Sequence, residues 1–368
     1  MSSNYQIYFD CGSSKLRAGG FNKVDSSDAF YAESTFLFDD REINQEIKKI
    51  ITFLEKNTNE YIDNVNLMID SPKMLSVGIS ISKKIDESQL RLEDIQFLVQ
   101  EAKQQILKYY NNQNIVHIII NNYKINDIDY NYLPLNVKCN FISLDILFIC
   151  LPVETIDYFK NLFYEFDISI NQVVCSSYAK AINYKDNFAL FKNISFIDIG
   201  FNKTSITNYI DNKIIFLNVL PIGGNHITKD ISKVLKIDLK QAENFKINFD
   251  KDEIFLNNKI FSLELLQKII FARTEEILEI CVQSIKLNIA IEDQYKMILM
   301  GEGSKILDNQ NKDEISFSNV IDLLEESTQE ICQSGLKLGM GANKQEVEII
   351  PKKQIKQGFF EKLFYFFR

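Results

Sequence analysis

Glycine is scarce in this chain of 368 residues, at 13 in all, about half the roughly 7% usual in globular proteins. Glycine-patterned repeats are thereby excluded, and each glycine needs a local reason. Histidine is rarer still, with two. His117 lies in a strand-like run and His226 follows Gly224-Asn225; no cysteine or carboxylate stands at ligand spacing from either, so a histidine metal centre is set aside. The six cysteines, at 11, 139, 150, 175, 281 and 332, form neither a CxxC nor a zinc-finger spacing and read as reduced and buried. Positive charge is also short: Lys+Arg 41 against Asp+Glu 50 leaves a net charge of −9, which argues against nucleic acid as a partner because phosphates would meet a like-signed field. No window reaches the roughly 18 apolar residues of a membrane span. Met1-Ser2-Ser3-Asn4 carries no charged n-region or apolar h-region, so the sequence predicts a cytosolic chain. With 46% apolar residues it is too long for one ordinary core, and two or more lobes are expected.

What is present is a repeated hairpin. The strand-like run Tyr5 to Phe9 ends in Asp10-Cys11-Gly12-Ser13-Ser14-Lys15 and resumes as Leu16-Arg17-Ala18. Half a chain later Ile194 to Ile197 ends in Asp198-Ile199-Gly200-Phe201-Asn202-Lys203-Thr204 and resumes as Ser205 to Tyr209. One such turn alone is an ordinary polar turn. Two in the same order, one per half, predict a duplicated lobe facing its copy across a cleft.

A carboxylate at a strand end beside a glycine turn offers amides for a phosphate and an oxygen for a magnesium shell. On this reading Gly12, Ser13 and Ser14 supply amides and hydroxyls, Lys15 meets the β- and γ-phosphates, and Asp10 with Asp198 holds Mg2+ through water. Gly301-Glu302-Gly303-Ser304, after the apolar run Met297 to Met300, fits a loop where backbone approaches the adenine or ribose.

These motifs resemble those of the actin/Hsp70/sugar-kinase superfamily, and within it the chain is most similar to the FtsA-type bacterial cell-division proteins. Asp10 to Lys15 matches the first phosphate motif, Asp198 to Thr204 the second, and Gly301 to Ser304 the adenosine motif. Gly223-Gly224-Asn225 and the stretch Ala242 to Lys246 match family segments that lie C-terminal to the second motif. The resemblance implies Mg·ATP as cofactor, with Gly200, Asn202, Lys203, Thr204, Gly223, Gly224 and Asn225 near the phosphates and Glu243 and Lys246 reaching ribose and adenine. Phe201 and Asn202 replace glycines frequent in the second loop, Lys203 stands where Thr is common, and Ser205 where a second Asp often is. Val173 to Ala179 contains no Glu or Gln to orient an attacking water, so slow or absent hydrolysis is expected.

The implied fold is a two-lobed α/β actin-like ATPase with an FtsA-type insertion and a C-terminal amphipathic helix. Residues 1–75, 152–193 and 336–343 would form lobe 1 (1A), 76–151 the inserted 1C subdomain, 194–226 and 289–335 lobe 2 (2A), and 227–288 subdomain 2B. Helical periods are read at Glu93 to Tyr110, Thr155 to Phe163, Ser176 to Ile182, Ile227 to Leu235, Leu239 to Phe245 and from Ser262 to about Asn288. Gly339 and Gly341 suggest a second interlobe hinge.

Residues 344–357 are polar and basic and read as a linker. On a wheel of about 100° per residue, Phe359, Phe360, Leu363, Phe364, Phe366 and Phe367 share an arc of roughly 160°, which suits reversible docking on an anionic bilayer. FtsA-type proteins end in such a helix, so 358–368 is the implied anchor to the cytoplasmic face of the inner membrane at the division septum. Lys268 and Arg273 lie on a helix similar to the one that receives the acidic C-terminal peptide of FtsZ. Self-association into filaments and contact with other divisome membrane proteins are implied by the same resemblance. A PilM-like pilus assembly ATPase, a small-molecule kinase and a nucleotide-free scaffold are the alternatives; no catalytic Asp for a kinase stands out.

Overall fold

The computed structural model describes residues 3–36, 42–134, 137–248, 255–256, 259–260, 262–289, 295–309 and 321–347. The expected anchor at 358–368 and most of the linker lie outside these residues.

Two five-stranded sheets carry the two halves. In the first, β1 (Tyr5–Cys11), β2 (Lys15–Asn22), β3 (Ala29–Thr35), β4 (Asn64–Ile69) and β9 (Ser169–Cys175) lie in the order β3-β2-β1-β4-β9. The second repeats the pattern with β10 (Asn193–Ile199), β11 (Thr204–Ile210), β12 (Lys213–Leu220), β15 (Tyr295–Met300) and β16 (Ile321–Leu323) in the order β12-β11-β10-β15-β16. In both, the leading strand pairs antiparallel with its hairpin partner and parallel with the strand on its other side. Such a strand, with a neighbour on each side, is covered on both faces, so side chains of either face are buried. Phe9, Leu67, Ile197 and Leu299 are accordingly buried. The duplication expected from the hairpins is therefore a duplication of whole sheets.

The insertion forms a sheet of its own, β5 (Leu75–Gln89), β6 (Gln113–Ile125), β7 (Ile128–Tyr130) and β8 (Lys138–Pro152), in the order β5-β8-β6-β7. Helix α2 (Leu92–Tyr109) packs Leu98, Ala102 and Ile106 into the core of this unit. The long strands are pinned by alternation: Ile142, Leu144 and Ile146 point inward while Asp145 does not.

Helices α3 (Val153–Tyr164), α4 (Ser176–Tyr184), α5 (Gly224–Leu235), α6 (Leu239–Ile247) and α7 (Leu263–Asn288) fall where apolar periodicity places them. Two further helices emerge from the fold. Helix α1 (Ile43–Thr58) buries Ile47, Ile50, Ile51 and Leu54 and ends at Asn59 in the left-handed region. Helix α8 (Thr328–Gly339) starts at a capping box in which the Ser327 hydroxyl accepts from Glu330 N–H and the Glu330 carboxylate accepts from Ser327 N–H, satisfying donors that a helix start leaves unpaired.

Helix α8 lies on the first sheet so closely that only glycine fits at one position. A Cβ on Gly335 would fall 2.5 Å from Met68 Sδ and 2.7 Å from a Tyr8 ring carbon. Gly339, expected in a hinge, is the last residue of this helix and sits against the Tyr8 hydroxyl. The pattern missed the helix because its apolar face is interrupted by glycines that packing, not propensity, requires. The six cysteines are free and buried, as expected.

Candidate functional site

The two hairpin turns are built alike. Gly12 N–H donates to Lys15 C=O at 3.0 Å and Gly200 N–H donates to Lys203 C=O at 2.9 Å. Strand pairing places Asp10 opposite Arg17 and Asp198 opposite Ser205. The turns meet across the cleft, where Asn202 N–H donates to Ser13 Oγ at 3.1 Å. The expected juxtaposition of two acidic bends is present, at the floor of a cleft between the sheets.

Most of the predicted residues line this cleft. A charged pocket of about 90 Å3 is walled by residues that include Asp10, Gly12, Ser13, Ser14, Lys15, Asp198, Gly200, Lys203, Gly301, Glu302 and Ser304. An adjoining cavity of about 410 Å3 is bounded by Ser14, Lys15, Gly200, Phe201, Gly224, Glu243, Lys246, Glu302, Gly303 and Ile306 among others. Three predicted residues face elsewhere. Thr204 is buried with its hydroxyl donating to Ile222 C=O at 2.7 Å, Asn225 donates to Asn202 Oδ1 at 2.8 Å behind the loop, and Gly223 packs under Gly200 and Phe201. Asn202 lies between the two, contributing its backbone N–H to the cleft.

Glu243 and Lys246 are turned toward each other, with Lys246 Nζ 2.6 Å from Glu243 Oε2, 2.9 Å from Thr228 Oγ1 and 3.1 Å from Gly224 C=O. Burial lowers the Lys246 pKa, opposed by Glu243. Its ammonium also lies 5.5 Å from the centre of the Phe201 ring. The phenyl group of Phe201 in the second loop thus forms part of the wall of the larger cavity.

The electrostatics of the smaller pocket come from the predicted Asp10, Asp198, Lys15, Lys203 and Glu302 together with four residues that sequence reasoning passed over, Arg17, Lys180, Glu326 and Asp70. Arg17 pairs with Asp10 at 3.2 Å and with Glu302 at 3.3 Å. Lys180 on α4 lies 2.6 Å from both Asp198 and Glu326 and is almost wholly buried. Burial alone would lower the Lys180 pKa; the two carboxylates outweigh it and hold the ammonium charged. Glu326 is pushed up to about 7 by burial, against the pull of Lys180. Glu302 is held down to about 2, because Lys305, Lys15 and Arg17 overcome its desolvation. Asp70 at the end of β4 accepts from Ser177 N–H, Ser177 Oγ and Ser205 Oγ, and its backbone oxygen accepts from Lys203 Nζ. One signal was available: a four-residue turn puts Arg17 directly opposite Asp10. A lone lysine between Ala179 and Ala181 was a second.

The family motif implies a magnesium ion at Asp10 and Asp198, and the residues present do not fit one. Each carboxylate is already compensated by a buried side-chain cation in direct contact, and Ser176 Oγ donates to the second oxygen of Asp10 at 2.7 Å. Among the described residues no group of three His, Cys, Asp or Glu is arranged to hold a metal ion.

Comparison with known proteins agrees with this architecture. The family model described as Cell division protein FtsA matches residues 195–259, a stretch that starts within β10 and runs through the second turn and α6. The chain is related to the FtsA cell-division proteins. FtsA of Buchnera aphidicola subsp. Acyrthosiphon pisum is 27% identical over 211 residues, 52% of this chain and 48% of that protein. The chain thus spans about half the length of the curated relatives it matches. Among solved structures, the PilM-PilN type IV pilus biogenesis complex superposes with a TM-score of 0.60 at 13% identity, covering 93% of this chain and 96% of that one. MreB 5 of Spiroplasma citri bound to AMPPNP gives 0.53 at 13% identity, covering 94% and 98%. These likenesses show that the FtsA-like chain has the two-lobed actin-like fold.

Proposed function

We propose that this chain is an actin-like cell-division protein that seats an adenine nucleotide between its lobes, associates with further copies of itself and tethers the FtsZ ring to the cytoplasmic face of the inner membrane at the septum. One observation carries the reading. The FtsA-matched stretch 195–259 contains the second turn together with α5 and α6, and these form the wall of the cleft opposite the first turn.

The larger cavity is in the size range of small-molecule sites and would take the base and ribose, with Lys246, Phe201 and Ile306 as its walls and Ser14 and Lys15 toward the phosphate side. MreB 5, which shares the fold, was solved with ADP and with AMPPNP bound. Hydrolysis would be weak or absent, since Ser176 and Ser177 stand at the first interlobe connection, where neither Glu nor Gln is available to orient water.

The partner surfaces come from the sequence. Residues 358–368 would lie on an anionic bilayer by Phe359, Phe360, Leu363, Phe364, Phe366 and Phe367. Among the described residues no helix is long and apolar enough to cross a membrane. Lys268 and Arg273 on α7 would receive the acidic C-terminal peptide of FtsZ. Arg273 is held by Asp230 at 2.6 Å and Glu276 at 2.7 Å, so an incoming carboxylate exchanges with its neighbours rather than meeting a bare cation. Other divisome membrane proteins are further expected partners.

Liposome flotation of the full chain against one ending at Gln357 tests the reading. Loss of flotation on truncation supports it, and equal flotation of both chains removes the anchor. The fold likeness to the PilM-PilN complex favours one other reading, a pilus assembly ATPase that binds a short membrane-protein peptide; such a protein would not depend on residues 358–368 for flotation.

A further inference from the structure

The floor of the cleft is a circuit of side-chain charges that runs from one sheet to the other. From the first half, Lys15 and Arg17 reach Glu302 just beyond β15. Lys180, on the helix after β9, reaches Asp198 at the end of β10. In return Lys203 and Ser205 from the second half bond Asp70 at the end of β4. A nucleotide in such a cleft would join the halves by the same logic, its terminal phosphate meeting the cations of the first turn and its metal meeting the aspartates. Both places are taken by protein atoms.

The charge balance points the same way. Five lysine and arginine side chains around the pocket face six aspartates and glutamates, so the wall has no excess positive charge to draw in a polyphosphate. Lys180 and Asp198 are 6% and 19% exposed in their side chains. Coulomb attraction is strong there, because surrounding protein screens far less than water. A buried ion pair of this kind is held by its geometry, and removing one member strands the other.

We propose that Lys180 and Glu302 are resident substitutes for the divalent cation and the terminal phosphate, and that they hold the two lobes together in the absence of both. The proposal rests on the nucleotide reading only for where a ligand would enter; the latch itself stands on the protein's own pairs. Nucleotide, where it binds, occupies the larger cavity and gains nothing from Mg2+.

The test uses the full chain with spin labels on introduced cysteines, Lys56→Cys on α1 and Lys240→Cys on α6, both at exposed positions; the six native cysteines are buried. Double electron–electron resonance should give one narrow distance distribution in EDTA without nucleotide, unchanged by Mg·ATP. Glu302→Gln should broaden and lengthen it, and Lys180→Met should do so further. A wild-type distance that shortens on adding Mg·ATP overturns the proposal, as does a distribution that both substitutions leave unchanged. Glu302 is 46% exposed in its side chain, so its neutral variant should fold and decides the matter even where Lys180→Met does not. Calorimetric titration with ATP in EDTA separates the two readings: no heat removes the nucleotide seat and leaves the latch to be judged by the label distances.

Discussion

Lys15 and Lys203 stand at the same position of the two hairpin turns, yet each sends its ammonium into the opposite lobe. Lys15 meets Glu302 beyond the second sheet at 3.3 Å as well as Glu33 on β3 of its own sheet at 3.1 Å, and Lys203 meets the backbone oxygen of Asp70 just past the end of β4 in the first. The duplication thereby makes a reciprocal exchange between halves. Each turn is held by its own glycine N–H to lysine C=O bond, so the crossing lysines are anchored at their roots.

Lys180→Met should destabilise the chain by about 3–5 kcal/mol, the usual cost of stranding a buried charge. Urea unfolding of both proteins under the same buffer conditions measures it. Adding Glu326→Gln should recover part of the loss, since the two residues are in contact and their effects do not add. Additive effects would mean that the 2.6 Å contact carries no coupling.

The pH dependence of stability should carry a signature of Glu326. Its folded pKa is raised to about 7 from an ordinary 4.5 by burial, with Asp198 adding to the effect and Lys180 and Arg17 opposing it. Between those values the folded chain holds more proton than the unfolded chain, so stability falls as pH rises from 5 through 7. The slope is at most about 1.4 kcal/mol per pH unit for one proton. Glu302, whose folded pKa is about 2, acts in the other direction and only below about pH 4.5, where its stabilisation is lost as pH falls. Unfolding curves at pH 5, 6, 7 and 8 should flatten in Glu326→Gln; an unchanged slope would assign it to other groups.

Arg273→Glu should weaken binding of an acidic peptide about tenfold, near 1.4 kcal/mol, in fluorescence anisotropy at low salt. Asp230→Asn should strengthen it, because the arginine loses its nearest competing carboxylate. Equal affinities across the three proteins would take the peptide away from this helix.

Two glycines should respond oppositely to alanine. At Gly301 φ is +85°, and an added Cβ would fall 2.2 Å from Asp198 Oδ1, so substitution should cost more than about 1 kcal/mol and disturb the pair with Lys180. Gly78 has nothing within 4 Å of its Cβ position and lies in a strand, where alanine should stabilise by about 0.4–1 kcal/mol. Thermal unfolding of both variants checks the pair.

Much of the architecture is legible in local pattern. The hairpins, the inserted unit and the helices from α2 to α7 can be read from apolar period and turn residues, because burial on one face imposes a period that needs no knowledge of the partner. Helix α8 is not legible in this way: Gly335 and Gly339 look like breakers until Tyr8 and Met68 are seen to leave no room for a side chain. In the site, the residue types of both turns were evident, and the charges that complete them were not. Glu302 reads as part of a backbone loop until Lys15, Arg17 and Lys305 are found around its carboxylate.

By itself the sequence determined that there are two matching strand–turn–strand units with an acid at each strand end, since hairpin register depends only on residues a few positions apart. The tertiary fold alone decided which charge answers which. Asp198 is 18 residues from Lys180 and Glu302 is 287 from Lys15, and pairing at that range is settled by how the sheets dock, where burial makes an unanswered charge too costly to leave.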